Sequence, residues 1–119
     1  MSILENAKEH FRARMSADLH SVEVPEWTNG ADTPERIYFK PSMSLRDQGL
    51  ILQLSQDGKT AEALAQTLIL RGLNIDGKRI WGQAAMTEFM RLVDPDVIAR
   101  VVNAISGDDD ESDEELEKN

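Results

Sequence analysis

One change of period constrains this chain more than any other feature. Apolar residues recur at helical spacing through residues 3–17 and again from residue 41 to about residue 107, while residues 20–40 alternate with a period of two and are broken by a turn-rich run. Such a chain is expected to be mainly α, with a single β-hairpin embedded near its N-terminus. Within the helical stretches, Ser2 followed by Glu5 forms a capping-box pattern ahead of Ile3, Leu4, Ala7, Phe11 and Met15, which share one face. Ser44 caps a second helix carrying Leu45, Leu50, Ile51, Leu52 and Leu54 and stopping at Asp57-Gly58. Thr60 opens a third helix that ends near Gly72. Residues 83–93 form a fourth, with Met86, Phe89, Met90 and Val93 inward. Asp94-Pro95 supplies an N-cap and a first-turn proline for a fifth, whose Val97, Ile98, Val101, Val102 and Ile105 precede a stop at Gly107.

In the period-two segment, Val22, Val24 and Trp27 face Ile37, Tyr38 and Phe39 across Thr28-Asn29-Gly30-Ala31-Asp32-Thr33-Pro34-Glu35. Two strands alone are marginal in water, so the hairpin is expected to pack on a helix. Residues 73–81 enclose Asp76-Gly77 and read as a turn or a very short hairpin.

Charge divides the chain differently. The formal net charge is −9, but residues 107–119 hold eight acids and one base and so carry −7, leaving residues 1–106 at −2. Ordering those 13 residues would cost on the order of 20 kcal/mol at about 1.5 per residue. Leu116, their only large apolar side chain, returns about 2 kcal/mol on burial. The reading is one domain, residues 1–106, followed by a disordered acidic tail, residues 107–119. A near-neutral body with an acidic appendage is a poor match to a phosphate backbone, so no nucleic-acid partner is expected. No apolar run approaches the length that spans a bilayer and the N-terminus lacks a signal-peptide core, so no membrane partner is expected and the protein should be cytoplasmic and not secreted.

Chemistry-bearing constellations are sparse. Zero cysteines excludes disulfides and thiolate sites. His10 and His20 lack metal-ligand spacing, and no glycine-rich phosphate loop occurs, so no metal, no cofactor and no catalytic residue is expected. Asn74-Ile75-Asp76-Gly77 matches the middle of a calcium loop, yet that frame puts Gly72 and Gln83 at the first and last ligand positions and adds Lys78 and Arg79. A plain turn fits better. What remains is apolar surface: Leu50-Ile51-Leu52-Gln53-Leu54 is apolar on more than one side, and Val97 to Ile105 form a broad stripe. Each stripe serves either the domain core or a helical partner, a second copy included.

The order of these signals resembles the tail assembly chaperones of long-tailed, siphovirus-type bacteriophages and related prophages. The matching features are Trp27 before a short strand pair, Ile37-Tyr38-Phe39-Lys40-Pro41 leading into a helix, residues 64–70, the turn Asp76-Gly77-Lys78-Arg79-Ile80-Trp81, and residues 89–105 with their break at Asp94-Pro95. The resemblance covers about two thirds of the chain. It implies a non-enzymatic role in virion morphogenesis: binding the tape measure protein, a hydrophobic helical ruler, and keeping it soluble in the host cytoplasm until tail tube subunits polymerise around it, with no place in the finished virion. Many members are also made in a frameshift-extended form that engages the tail tube protein. Glu117-Lys118-Asn119 can be encoded GAA AAA AAC, which contains a slippery heptamer in the right phase. Ile98, Val102 and Ile105 are the candidate partner-binding residues. The alternative reading is a small acidic regulator or inhibitor that mimics nucleic acid through its acidic tail. Deleting residues 107–119 should abolish such a mimic and spare a chaperone.

Overall fold

A computed structural model describes residues 2–28 and 35–118, with side chains described as far as residue 107. The described residues form five helices, α1 (Ile3–Met15), α2 (Leu45–Gln56), α3 (Thr60–Arg71), α4 (Met86–Leu92) and α5 (Pro95–Lys118), and a hairpin of β1 (His20–Val24) and β2 (Glu35–Phe39). The mainly α architecture with one embedded hairpin is as the sequence predicts. Local signals set most boundaries. The Ser2 hydroxyl accepts from Glu5 N–H at 3.1 Å, and the Ser44 hydroxyl accepts from Asp47 N–H at 3.1 Å. Asp94 Oδ1 accepts from Asp96 N–H at 2.9 Å, ahead of Pro95 in the first turn of α5. At the end of α2, Gly58 adopts φ +79°, which lets Lys59 N–H reach Leu54 O at 2.8 Å.

The hairpin is antiparallel, with His20 opposite Phe39, Val22 opposite Ile37 and Val24 opposite Glu35. That register puts Val22, Val24, Ile37 and Phe39 on one face, which meets α5. Side chains of α3 (Ala65, Leu68, Ile69), α4 (Phe89) and α5 (Val97, Ile98, Val101, Val102, Ile105) complete the core. α3 is the central element: seven of its twelve residues are buried, the polar Gln66, Thr67 and Arg71 among them. Each of these three is satisfied. Gln66 and Gln83 exchange amide hydrogen bonds at 3.0 and 2.9 Å, Thr67 donates to Ala63 O at 2.9 Å, and Arg71 donates to Lys40 O with its guanidinium 5.9 Å from the Phe39 ring centre.

Residues 72–80 form the short hairpin. Asn74 N–H donates to Lys78 O at 2.8 Å and Gly77, at φ +81°, donates to Asn74 O at 2.9 Å, while the Asn74 side-chain oxygen accepts from Asp76 and Lys78 N–H. Leu73 also exchanges backbone hydrogen bonds with Tyr38 at 2.8 and 2.9 Å, docking this hairpin on the open edge of β2.

Three expectations need correction. Trp27 does not continue β1. Pro25 fixes its own φ and has no N–H for the ladder, so Pro25–Trp27 turns into one 3₁₀ turn closed by Thr28 N–H on Pro25 O. Helical structure over residues 83–93 splits into a 3₁₀ turn, Gln83–Ala85, and α4, on which Met90 points outward. α5 does not stop at Gly107 but continues to Lys118. A lone glycine costs a helix only about 1 kcal/mol relative to alanine, and no proline follows to enforce an ending. The acidic tail expected to be disordered, residues 107–119, lies outside the residues with described side chains from residue 108 onward. The apolar stripe of α1 contributes nothing to the core, since the helix has no buried residue.

Candidate functional site

Three of the six aromatic residues meet in one place. The Trp27 and Trp81 rings meet edge to face at 6.4 Å between centres, and Trp81 meets Phe89 in the same manner at 5.0 Å. With Val93 they line an open apolar cleft of about 270 Å³. Phe89 and Val93 also border a smaller recess of about 100 Å³, walled by Leu64, Met90 and Pro95 with Ile98 in its lining. The two form one apolar strip built from the Pro25–Trp27 turn, Trp81 just past the 72–80 hairpin, α3, α4 and the start of α5.

Each part of the strip is held by a separate local device. Trp81 lies against Gly72, where a Cβ would come within 2.6 Å of the indole and 2.7 Å of Leu68 O. Only glycine lets the ring seat that deeply. Trp27 rides on the 3₁₀ turn, which is tied to α5 by a two-pronged ion pair between Glu26 and Arg100, Nη2 to Oε1 at 2.7 Å. The Arg100 hydrogen bonds lower the Glu26 carboxyl from an ordinary 4.5 to about 2. Thr28 closes the base of the loop, accepting from Glu35 N–H at 2.6 Å and donating to Val24 O at 3.3 Å.

The residues singled out by sequence separate here. Ile98 contributes to the floor of the recess but is 5 % exposed, Val102 is 6 % exposed and Ile105 is fully enclosed. All three belong to the chain's own core, and the side chains available to a partner are Trp27, Trp81, Met90 and Val93. The period of α5 could not reveal this, because core and docking stripes share one pattern. The signal for the cleft was the pair of tryptophans at turn positions in a chain with six aromatic residues, where a large ring only partly buried stands out.

A second apolar region lies on α1 and the outer side of α2. Ile3, Leu4 and Phe11 are exposed on α1, as are Leu45, Leu50 and Leu52 on α2, whose Ile51 and Leu54 are half-buried. At the C-terminal end of α1, Arg14 Nη2 donates to Pro41 O at 2.8 Å beside a groove of about 340 Å³ lined by His10, Phe11, Pro41 and Met43.

His10 lies within α1 and His20 opens β1, and among the described residues no group of three or more His, Cys, Asp or Glu is placed to hold a metal ion. No described helix is long and apolar enough to cross a membrane. Comparison with protein-family models, curated proteins and solved structures found no match to this chain.

Proposed function

We propose that this chain is a non-enzymatic tail assembly chaperone of the long-tailed bacteriophage type, which covers apolar helical segments of the tape measure protein in the host cytoplasm and leaves before the virion is complete. The supporting observation is convergence. Trp27, Leu64, Trp81 and Phe89 fall in four separate stretches that carry the resemblance, and all four border one apolar strip. A strip walled by aromatic rings with little polar lining suits an amphipathic helix laid into it, because affinity then comes from apolar burial and tolerates a varied sequence. Production of an extended form that reaches the tail tube protein belongs to the same proposal.

Co-expression with the tape measure protein tests it. The ruler should be recovered in the soluble fraction with the wild-type chain and remain insoluble with a Trp27→Asp/Val93→Asp variant that still folds. Equal insolubility with and without the wild-type chain defeats the proposal. Removing residues 107–119 should leave the holding activity in place; its loss on that deletion would favour the acidic mimic.

A further inference from the structure

Helix α1 is a 13-residue amphipathic helix with no buried residue, and its apolar side is open over its first two turns. Ile3 is 88 % exposed and Leu4 63 % exposed, and with Ala7 and Phe11 they form one stripe. Isolated helices of this length are marginal in water, so such a stripe gains stability only when something covers it. Two observations indicate what. The stripe runs into the groove between Phe11, Pro41 and Met43, so its C-terminal end is concave and continuous with the body. Cations border it: Lys8 lies along one side, and Arg14, anchored to Pro41 O, stands beside the groove at its end. The two acids of α1, Glu5 and Glu9, lie away from the stripe and pair with Lys8 and Arg12. α1 carries +1 while the rest of the chain carries −10.

We propose that the α1 stripe and the adjoining groove form a second docking site, distinct from the aromatic strip, for an amphipathic helix of another protein whose apolar face is flanked by acidic side chains. A second copy of α1 suits the stripe less well, because pairing would set Lys8 and Arg14 near their own counterparts. An anionic bilayer suits it less well too, since the acidic body would be held against a like-charged surface. The site does not depend on the identity of the tape measure client.

Fluorescence anisotropy with two labelled designed peptides tests this, both with leucines at helical spacing, one with glutamate flanks and one with lysine flanks. The full chain should bind the glutamate peptide about tenfold more tightly at low salt, with the preference fading towards 1 M salt. Phe11→Asp, at an exposed position, should abolish binding while leaving the far-ultraviolet spectrum and melting temperature unchanged. Lys8→Glu/Arg14→Glu should reverse the preference between the peptides. The proposal is overturned if the peptides bind equally, if neither binds, or if Phe11→Asp leaves binding intact. It is also overturned if the stripe instead drives Phe11-dependent self-association or Phe11-dependent sedimentation with phosphatidylserine vesicles. Loss of tape measure holding in the Trp27→Asp/Val93→Asp variant, with peptide binding retained, would separate the two sites.

Discussion

Helices α1 and α5 carry the same kind of pattern and meet opposite fates. Ile3, Leu4, Ala7, Phe11 and Met15 on one, and Val97, Ile98, Val101, Val102 and Ile105 on the other, both recur at helical spacing. The stripe of α5 is enclosed by the hairpin and α3, whereas that of α1 faces outward. Periodicity thus records that a face will be covered, and leaves open whether the cover comes from the same chain. Composition differs between the two: the α5 stripe is β-branched throughout, packing densely with few rotamers, while the α1 stripe has one β-branched residue, Ile3, beside leucine, alanine, phenylalanine and methionine.

The contrast breaks first under truncation of side chains. Ile105→Ala should cost about 2–5 kcal/mol in urea unfolding, because it opens a cavity among enclosed neighbours. Leu4→Ala or Phe11→Ala should change stability by no more than about 0.5 kcal/mol. Comparable losses at both sites would mean that α1 is packed in solution. Gly72→Ala should come next, at about 1–3 kcal/mol, since the new methyl group meets both the indole of Trp81 and the Leu68 carbonyl. Its tryptophan emission should shift to longer wavelength as the ring is displaced. Deleting residues 1–17 should remove helical signal yet leave the denaturation midpoint of the remainder unchanged, sharpening the distinction between packed and unpacked helices. The smallest effect concerns Glu26. Its carboxyl is held down to about 2 by Arg100, so its contribution is fully present above the ordinary value of 4.5 and is lost as pH falls from there to about 2. Glu26→Gln should make the acid limb of the stability profile shallower over that window, and salt should diminish the difference, since the pair is exposed.

Caps and turns were legible because they act locally. Ser2, Ser44, Asp57-Gly58 and Asp94-Pro95 each bond within a few residues, and all mark the observed boundaries closely. The hairpin was legible from its alternation, although Pro25 diverted Trp27 out of the strand. The cleft was only partly legible, since Trp27, Trp81 and Phe89 meet through tertiary placement that no window of sequence contains. Ile98, Val102 and Ile105 illustrate the remaining limit: helical spacing marks them as one apolar face, and only the packing places all three in the core, with Ile98 also in the lining of the recess. The part-buried Gln66–Gln83 exchange and the seating of Arg71 over Phe39 leave no sequence signal, because each depends on groups brought together by α3.

The docking of Leu73 on Tyr38 also dictates an order of events. The two residues are 35 positions apart, so the edge of β2 stays open until α2, α3 and the chain beyond them have been made, and the opposite face waits longer still for α5. A nascent chain therefore carries an unfinished two-stranded sheet through most of its synthesis. Closure of that sheet is a late, long-range step, and it should set the rate at which the whole molecule folds.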